Sequence, residues 1–320
     1  MRRLCFFAAT TLLMIALYAD AFACSVCKCG DQAFFITNAR LLPRGTWIVS
    51  FENLYLNKSA LQHEETHHDE HGAGLLKLRS ALAPAHDEAS EMQSLQQNSL
   101  HVVLNYGLTD RLMLMASMPY TFSRLSQGAE NLRIDGFGDP EVMAMLHLGR
   151  LLNNSVDVAI RGGARLPLGQ TDYTNDAGEV LHAHNQIGSG AYAGIFGLQL
   201  SHLAGSVPLF FSAGYQINGT NDQDFRYGNV FRFNFAAQRQ LSGHLDLIAE
   251  LNGRVADFDK QGGENDPNSG GTMLYFSPGL RFHFTSALAF RGQVQLPIVE
   301  ELNGVQDEKT NVRASLIWML

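Results

Sequence analysis

The 320-residue chain is 46% apolar and 17% charged, with 30 glycines against 9 prolines and a formal net charge of −8. That is too apolar for intrinsic disorder and too acidic to embrace a polyanion, so no nucleic-acid partner is expected. Beyond residue 23 no apolar run approaches the length of a membrane-crossing helix, whereas a mean hydropathy of −0.06 is compatible with a barrel whose lumen-facing half is polar.

The first element is an address. Arg2 and Arg3 precede an apolar stretch from Leu4 to Tyr18, and Ala21-Phe22-Ala23 places small residues at the −3 and −1 positions before Cys24. This pattern predicts a secretory signal peptide over residues 1–23, hence export. Cys24, Cys27 and Cys29 then open a segment, 24–44, expected on the periplasmic side. Three closely spaced thiols suit a soft metal such as copper(I) or zinc. They equally suit a disulfide in an oxidising compartment, with the third cysteine left over or, at Cys24, lipidated. Covalent haem is disfavoured because Lys28 stands where the motif needs histidine. Phe34, Phe35, Ile36, Leu41 and Leu42 follow, as a short helix tucked into the periplasmic mouth or as a loose tether.

From residue 45 onward, apolar and polar residues alternate with period two between turn signals. The expected strands are 45–57, 98–108, 111–122, 137–149, 154–168, 188–201, 207–218, 226–239, 243–257, 272–284, 287–297 and 311–320. Their connections alternate long and short. Long ones cover 58–97, 123–136, 169–187, 219–225, 258–271 and 298–310; short ones fall at 109–110, 150–153, 202–206, 240–242 and 285–286. Outer-membrane barrels have an even strand number, long external loops and short periplasmic turns, a rhythm that a soluble β-sandwich does not require. The expected fold is therefore all-β: a single antiparallel transmembrane barrel of about twelve strands over residues 45–320.

The faces agree. Leu245, Leu247, Ala249, Leu251 and Val255 point one way, opposite Asp246, Glu250, Asn252 and Arg254. Continuing the alternation places Glu52, Arg111, Glu141, Asp157, Arg161, Arg165, Arg232, Asp246, Glu250, Arg254, Arg281, Arg291 and Arg313 in the lumen. A charge on the lipid face at mid-membrane costs roughly 2–4 kcal/mol, so a spanning barrel needs this segregation. Met113, Met115, Met143, Met145 and His147 are also expected inside, where thioethers beside an imidazole suit copper(I), or simply fill gaps.

The first long loop carries His63, Glu64, His67, His68, His71 and His86. Imidazoles mixed with carboxylates suit a divalent transition metal, and a solvated polar loop is the plain alternative. His63-Glu64-Glu65-Thr66-His67 matches the zinc-protease string, but that chemistry needs a rigid helix, a third ligand and a closed cleft. His182 and His184 fall in the third long loop, on the same expected side, as further candidates for a metal-collecting rim.

Three short motifs carry a family resemblance. Gly136-Phe137-Gly138-Asp139-Pro140-Glu141 entering a strand, Arg165-Leu166-Pro167-Leu168-Gly169 leaving one, and Gly190-Ala191-Tyr192-Ala193-Gly194 entering the next resemble the transporter-like barrels typified by meta-pathway phenol-degradation outer-membrane proteins. The resemblance implies an outer-membrane channel or transporter. The expected partners are membrane lipid and a small-molecule or ion cargo, and no catalysis is expected. Two departures are a C-terminal Leu320 where many barrels end in Phe, leaving Trp318 as the terminal aromatic, and the His-rich loop. The alternative expectation is a scaffold barrel that docks a periplasmic redox or efflux partner through its Cys-rich tail. Hydrolysis by the His loop is a third.

Overall fold

The structure, a computed structural model, describes residues 41–61, 92–127, 130–174, 178–203, 205–304 and 306–320. The expected signal peptide over residues 1–23, Cys24, Cys27 and Cys29, and the histidines of the first loop (His63, His67, His68, His71 and His86) lie outside the described residues.

The strands in chain order are β1 (Trp47–Leu61), β2 (Met92–Thr109), β3 (Leu112–Gln127), β4 (Glu130–Phe137), β5 (Glu141–Leu151), β6 (Val156–Arg165), β7 (Ala193–His202), β8 (Leu209–Asn218), β9 (Phe225–Arg226), β10 (Val230–Ser242), β11 (Leu245–Ala256), β12 (Lys260–Gln261), β13 (Glu264–Asn265), β14 (Gly271–His283), β15 (Leu288–Leu302), β16 (Gln306–Glu308) and β17 (Asn311–Met319). Three short ones, β9, β12 and β13, pair in a separate loop sheet. The others form an antiparallel sheet that closes on itself, because β1 pairs with both β2 and β17 (Phe51 faces Val102 on one side and Leu316 on the other). Counting β4 with β5 and β16 with β17 as broken single strands gives a twelve-strand transmembrane barrel. Closure removes the unpaired edge that an open sheet would leave in lipid.

The expected twelve segments are all present, with shifted ends. β1 and β2 run on to a Leu61–Met92 pair, and β3 and β4 to Gln127–Glu130. The loops expected at 58–97, 123–136 and 298–310 are accordingly shorter, because strands β15 and β16 also extend the ladder. Parts of the missed stretches are polar at both parities (Gln96 and Gln97, Ser123 and Ser126 among them) and show no alternation although backbone pairing continues.

Between β4 and β5, Gly138-Asp139-Pro140 faces only Met118 and Pro119 of β3, a one-residue bulge. Pro140 lacks the N–H that a continuous ladder would use. The bulge turns the Asp139 carboxylate toward the loop that follows β6.

Phe51, Leu114, Ile160, Phe196, Phe235, Leu251 and Phe290 stand on the exposed outer face. Trp47 stacks on Tyr106 at 4.4 Å near the short-turn end, and Tyr120, Phe122 and Phe137 cluster toward the long-loop end. Such aromatic girdles mark the two membrane interfaces of a barrel. Inside, Leu41 and Leu42 pack onto Met113, Met115, Met145 and Ala159, so the entering chain folds into the lumen at the short-turn end. Gly107 permits this: the carbonyl oxygens of Leu42 and Pro43 occupy the space where its side chain would be.

Candidate functional site

On the lumen wall from β10 to β17, acids and bases neutralise one another. Asp246 accepts from Gln238 at 2.7 Å and His283 at 2.9 Å, with Arg281 at 3.9 Å. Glu250 is paired with Arg291 and accepts from Asn252 at 3.1 Å, which also donates to Asn234 at 2.9 Å. Glu308 takes Arg254 at 2.5 Å and the Tyr275 hydroxyl. Buried carboxylates and guanidinium groups survive desolvation only when paired in this way. Glu52, buried on β1, lies in the field of Arg313 and Arg291, and its Oε1 accepts no hydrogen bond.

The wall from β3 to β10 surrounds a cavity of about 1160 Å³, including the part open to solvent. Arg161, Arg165, Arg232, Glu141 and Asp139 line it together with His101, Met115 and Met143. The register explains how Arg161 reaches it. Arg161 lies beside Gly197, Gly197 beside Gly214, and Gly214 beside Arg232. A β-carbon on Gly197 would stand 2.7 Å from Arg161 Nε, and one on Gly214 3.2 Å from its Nη2. The two glycines form a trough along which the guanidinium extends toward Arg232.

The rim is built by three loops. Asp139 accepts hydrogen bonds from the Gly169 amide (3.0 Å), the Ser189 amide (2.8 Å) and the Ser189 hydroxyl (2.5 Å), fixing loop 166–192 to the barrel. Tyr227 donates to the Ala183 carbonyl at 2.7 Å, and the Gly228 amide to Asp259 at 2.6 Å, joining loops 219–229 and 257–270. Asn221 reaches the Ser189 carbonyl at 3.1 Å. His184 faces Asp259 at 3.5 Å and Asp266 at 3.3 Å, with His182 stacked on it at 5.0 Å. Contact with His184 holds the Asp266 carboxyl below the usual carboxylate range, outweighing its partial burial. The Tyr173 phenol is pushed up by desolvation and by the nearby charge of Asp135.

Most expected lumen residues therefore face inward. Met113 and Met145 are buried under Leu41 and Leu42 rather than lining an open file of thioethers, while Met115 and Met143 reach the cavity. His147 and Arg150 share Asp157 at 3.1 and 3.0 Å near the short-turn end. Arg111 is a correction. It sits exposed on the tight turn before β3, with its amide bonded to Thr109 Oγ1 at 3.2 Å, because the ladder ends before its parity applies. His182 and His184 do come together, with two aspartates beside His184. Among the described residues no group of three His, Cys, Asp or Glu side chains is placed to hold a metal.

Sequence reasoning did not single out His101, Gln216, Asn218 or Asp259. Gln216 and Asn218 had a visible signal, since both fall on the polar parity of β8. Asp259 had none, because its partner Gly228 is 31 residues away.

Comparison with known proteins places this geometry. An outer membrane channel from Pseudomonas putida F1 superposes with a TM-score of 0.64 at 15% identity, over 90% of this chain and 100% of that one. The CymD monoaromatic hydrocarbon channel is a looser likeness, with a TM-score of 0.42 at 10% identity over 87% and 88%. A TodX deletion mutant, also described as a monoaromatic hydrocarbon channel, gives 0.46 at 8% over 89% and 93%. No curated protein matches the chain in sequence. A family profile described as "Putative MetA-pathway of phenol degradation" matches residues 93–301, about two thirds of the chain. With the closed barrel and its bulge motif at Gly136–Glu141, the chain belongs to this phenol-degradation family of outer-membrane barrels.

Proposed function

We propose that the protein is an outer-membrane channel through which a small solute passes, without chemical change. One observation carries the reading: ionic and amide side chains cover the inside of a closed barrel and leave a cavity open to solvent beneath a loop-built rim. A barrel serving only as an anchor has no need to bury so many charges. The description of the similar Pseudomonas putida barrel as an outer membrane channel agrees with it. Purified protein added to planar bilayers should give discrete conductance steps. Silent bilayers, together with vesicles that exclude small sugars and organic acids, would contradict the proposal.

Three finer elements rest on the sequence. Residues 1–23 direct export. A metal-handling specialisation depends on His63, His67, His68 and His71 and on Cys24, Cys27 and Cys29, and calorimetry with copper, zinc or nickel, with and without residues 58–97, decides it. Docking of a periplasmic partner depends on the same cysteines, and a pull-down that survives Cys27→Ser removes it.

A further inference from the structure

The outer face of the β3–β4 hairpin changes character over three rungs. The register sets Tyr120 beside Phe137, Phe122 beside Asp135 and Arg124 beside Arg133, each rung nearer the long-loop end than the last. Phe122 and Phe137 are 51% and 54% exposed on the outside of the barrel, and Tyr120 packs against both at 5.0 Å. Arg124 and Arg133 share their parity and are exposed too. The alternate residues Leu125 and Ile134 are buried on the inner side, so the pleat fixes the two arginines outward.

Like charges directly opposite on neighbouring strands repel, because their β-carbons stand only about 5 Å apart. Asp135, one rung lower, accepts from the Tyr120 hydroxyl at 2.6 Å. Among the described residues neither guanidinium group has an ion-pair or hydrogen-bond partner. On the adjoining strand β2, Gln96 is the exposed neighbour of Arg124 and extends the rung with an amide rather than an acid.

The height of this rung indicates what meets it. An aromatic girdle marks the edge of the hydrocarbon layer. Two residues of strand advance about 7 Å, or about 5 Å along the membrane normal at the tilt of barrel strands. The headgroup layer on each side of a bilayer is roughly 5–7 Å deep. The arginine rung therefore stands at the level of lipid phosphates, directly above the aromatic rings.

We propose that Arg124 and Arg133 form a binding site for the phosphate of an anionic lipid in the outer leaflet. Two facing guanidinium forks share one phosphate, whose oxygens accept paired N–H donors from each. The bound anion replaces their mutual repulsion with attraction, and the acyl chains descend over Phe122 and Phe137. A free phosphate gains nothing from the rings. A zwitterionic lipid brings its own cation to compete for the phosphate. The site lies on the lipid-facing wall and is independent of conduction through the lumen.

Calorimetry on the full folded chain in neutral detergent tests the site. The probes are dioctanoylphosphatidic acid, dioctanoylphosphatidylcholine and inorganic phosphate. Phosphatidic acid should bind roughly tenfold or more tightly than either of the others. Arg124→Gln and Arg133→Gln should each weaken it roughly fivefold, as expected for one cationic side chain at a lipid surface. Lys260→Gln, which removes the same charge from the loop strand β12, should change nothing. Arg133→Lys keeps the charge but loses the fork, so its affinity should fall between those of the parent and Arg133→Gln. Circular dichroism and heat-modified gel mobility report whether each variant folds. Equal affinity for the two lipids, or unchanged phosphatidic acid binding in the folded arginine variants, overturns the site. Inorganic phosphate binding as tightly as phosphatidic acid overturns the lipid as its occupant.

Discussion

Ser189 donates from both its amide (2.8 Å) and its hydroxyl (2.5 Å) to one oxygen of Asp139, a residue fifty positions earlier in the chain. The bulge at Gly138–Pro140 thus serves as the anchor of loop 166–192 on the barrel. Asp139→Ala leaves the Ser189 and Gly169 donors without their acceptor, at a cost of about 1–3 kcal/mol each if they stay buried. The loop should therefore detach. Hydrogen exchange across 166–192 is expected to accelerate while the barrel strands keep their protection; unchanged exchange in the loop would contradict the anchor.

At the other end of the barrel, Gly107 lies against the Leu42 and Pro43 carbonyls. Gly107→Val should expel the segment that covers Met113, Met115 and Met145. The check is peroxide oxidation followed by mass spectrometry. Met145, fully buried in the parent, should oxidise about tenfold faster once local opening is no longer needed.

Glu250 and Arg291 form a buried pair within the lumen wall. Glu250→Ala should destabilise the barrel by about 3–5 kcal/mol, because Arg291 then loses its buried ion-pair partner. A Glu250→Leu, Arg291→Met double variant should recover most of that loss. Guanidinium unfolding of barrels folded into vesicles measures both, and a double variant as unstable as the single one would refute the pairing.

Asp266 sets a pH dependence at the rim. Its folded pKa lies below the unfolded value through contact with His184, so its contribution is present above the ordinary aspartate range and is lost as pH falls through the depressed folded value. Loop 257–270 should loosen in acid below about pH 4, the unperturbed aspartate range. Asp266→Asn should be loose already at neutral pH and show less further change. Amide exchange in this loop as a function of pH gives the answer.

The barrel was legible because lipid outside and ions inside impose alternation strongly enough to survive in a single sequence: Leu247 and Leu251 against Asp246 and Glu250 announce β11. Strand ends were not legible where both parities are polar, as at Gln96, Gln97, Ser123 and Ser126. Arg111 shows the opposite error, a parity extended one residue too far into a turn. Of the cavity, the arginines and methionines followed from parity. The pairing of individual side chains did not, since it depends on which strands become neighbours and which amide, Gln216 or Asn218, reaches which guanidinium.

The account depends most directly on which face of the sheet meets lipid. Nitroxide side chains placed singly along 245–256, in protein whose N-terminal cysteines are replaced by serine and folded into vesicles, report contact with dissolved oxygen or with a water-soluble nickel chelate. Positions 247, 249, 251 and 255 should be oxygen-accessible, and 246, 250, 252 and 254 accessible to the chelate. The reverse phase, or apolar positions shielded from both reagents as in the interior of a sandwich, would contradict the account.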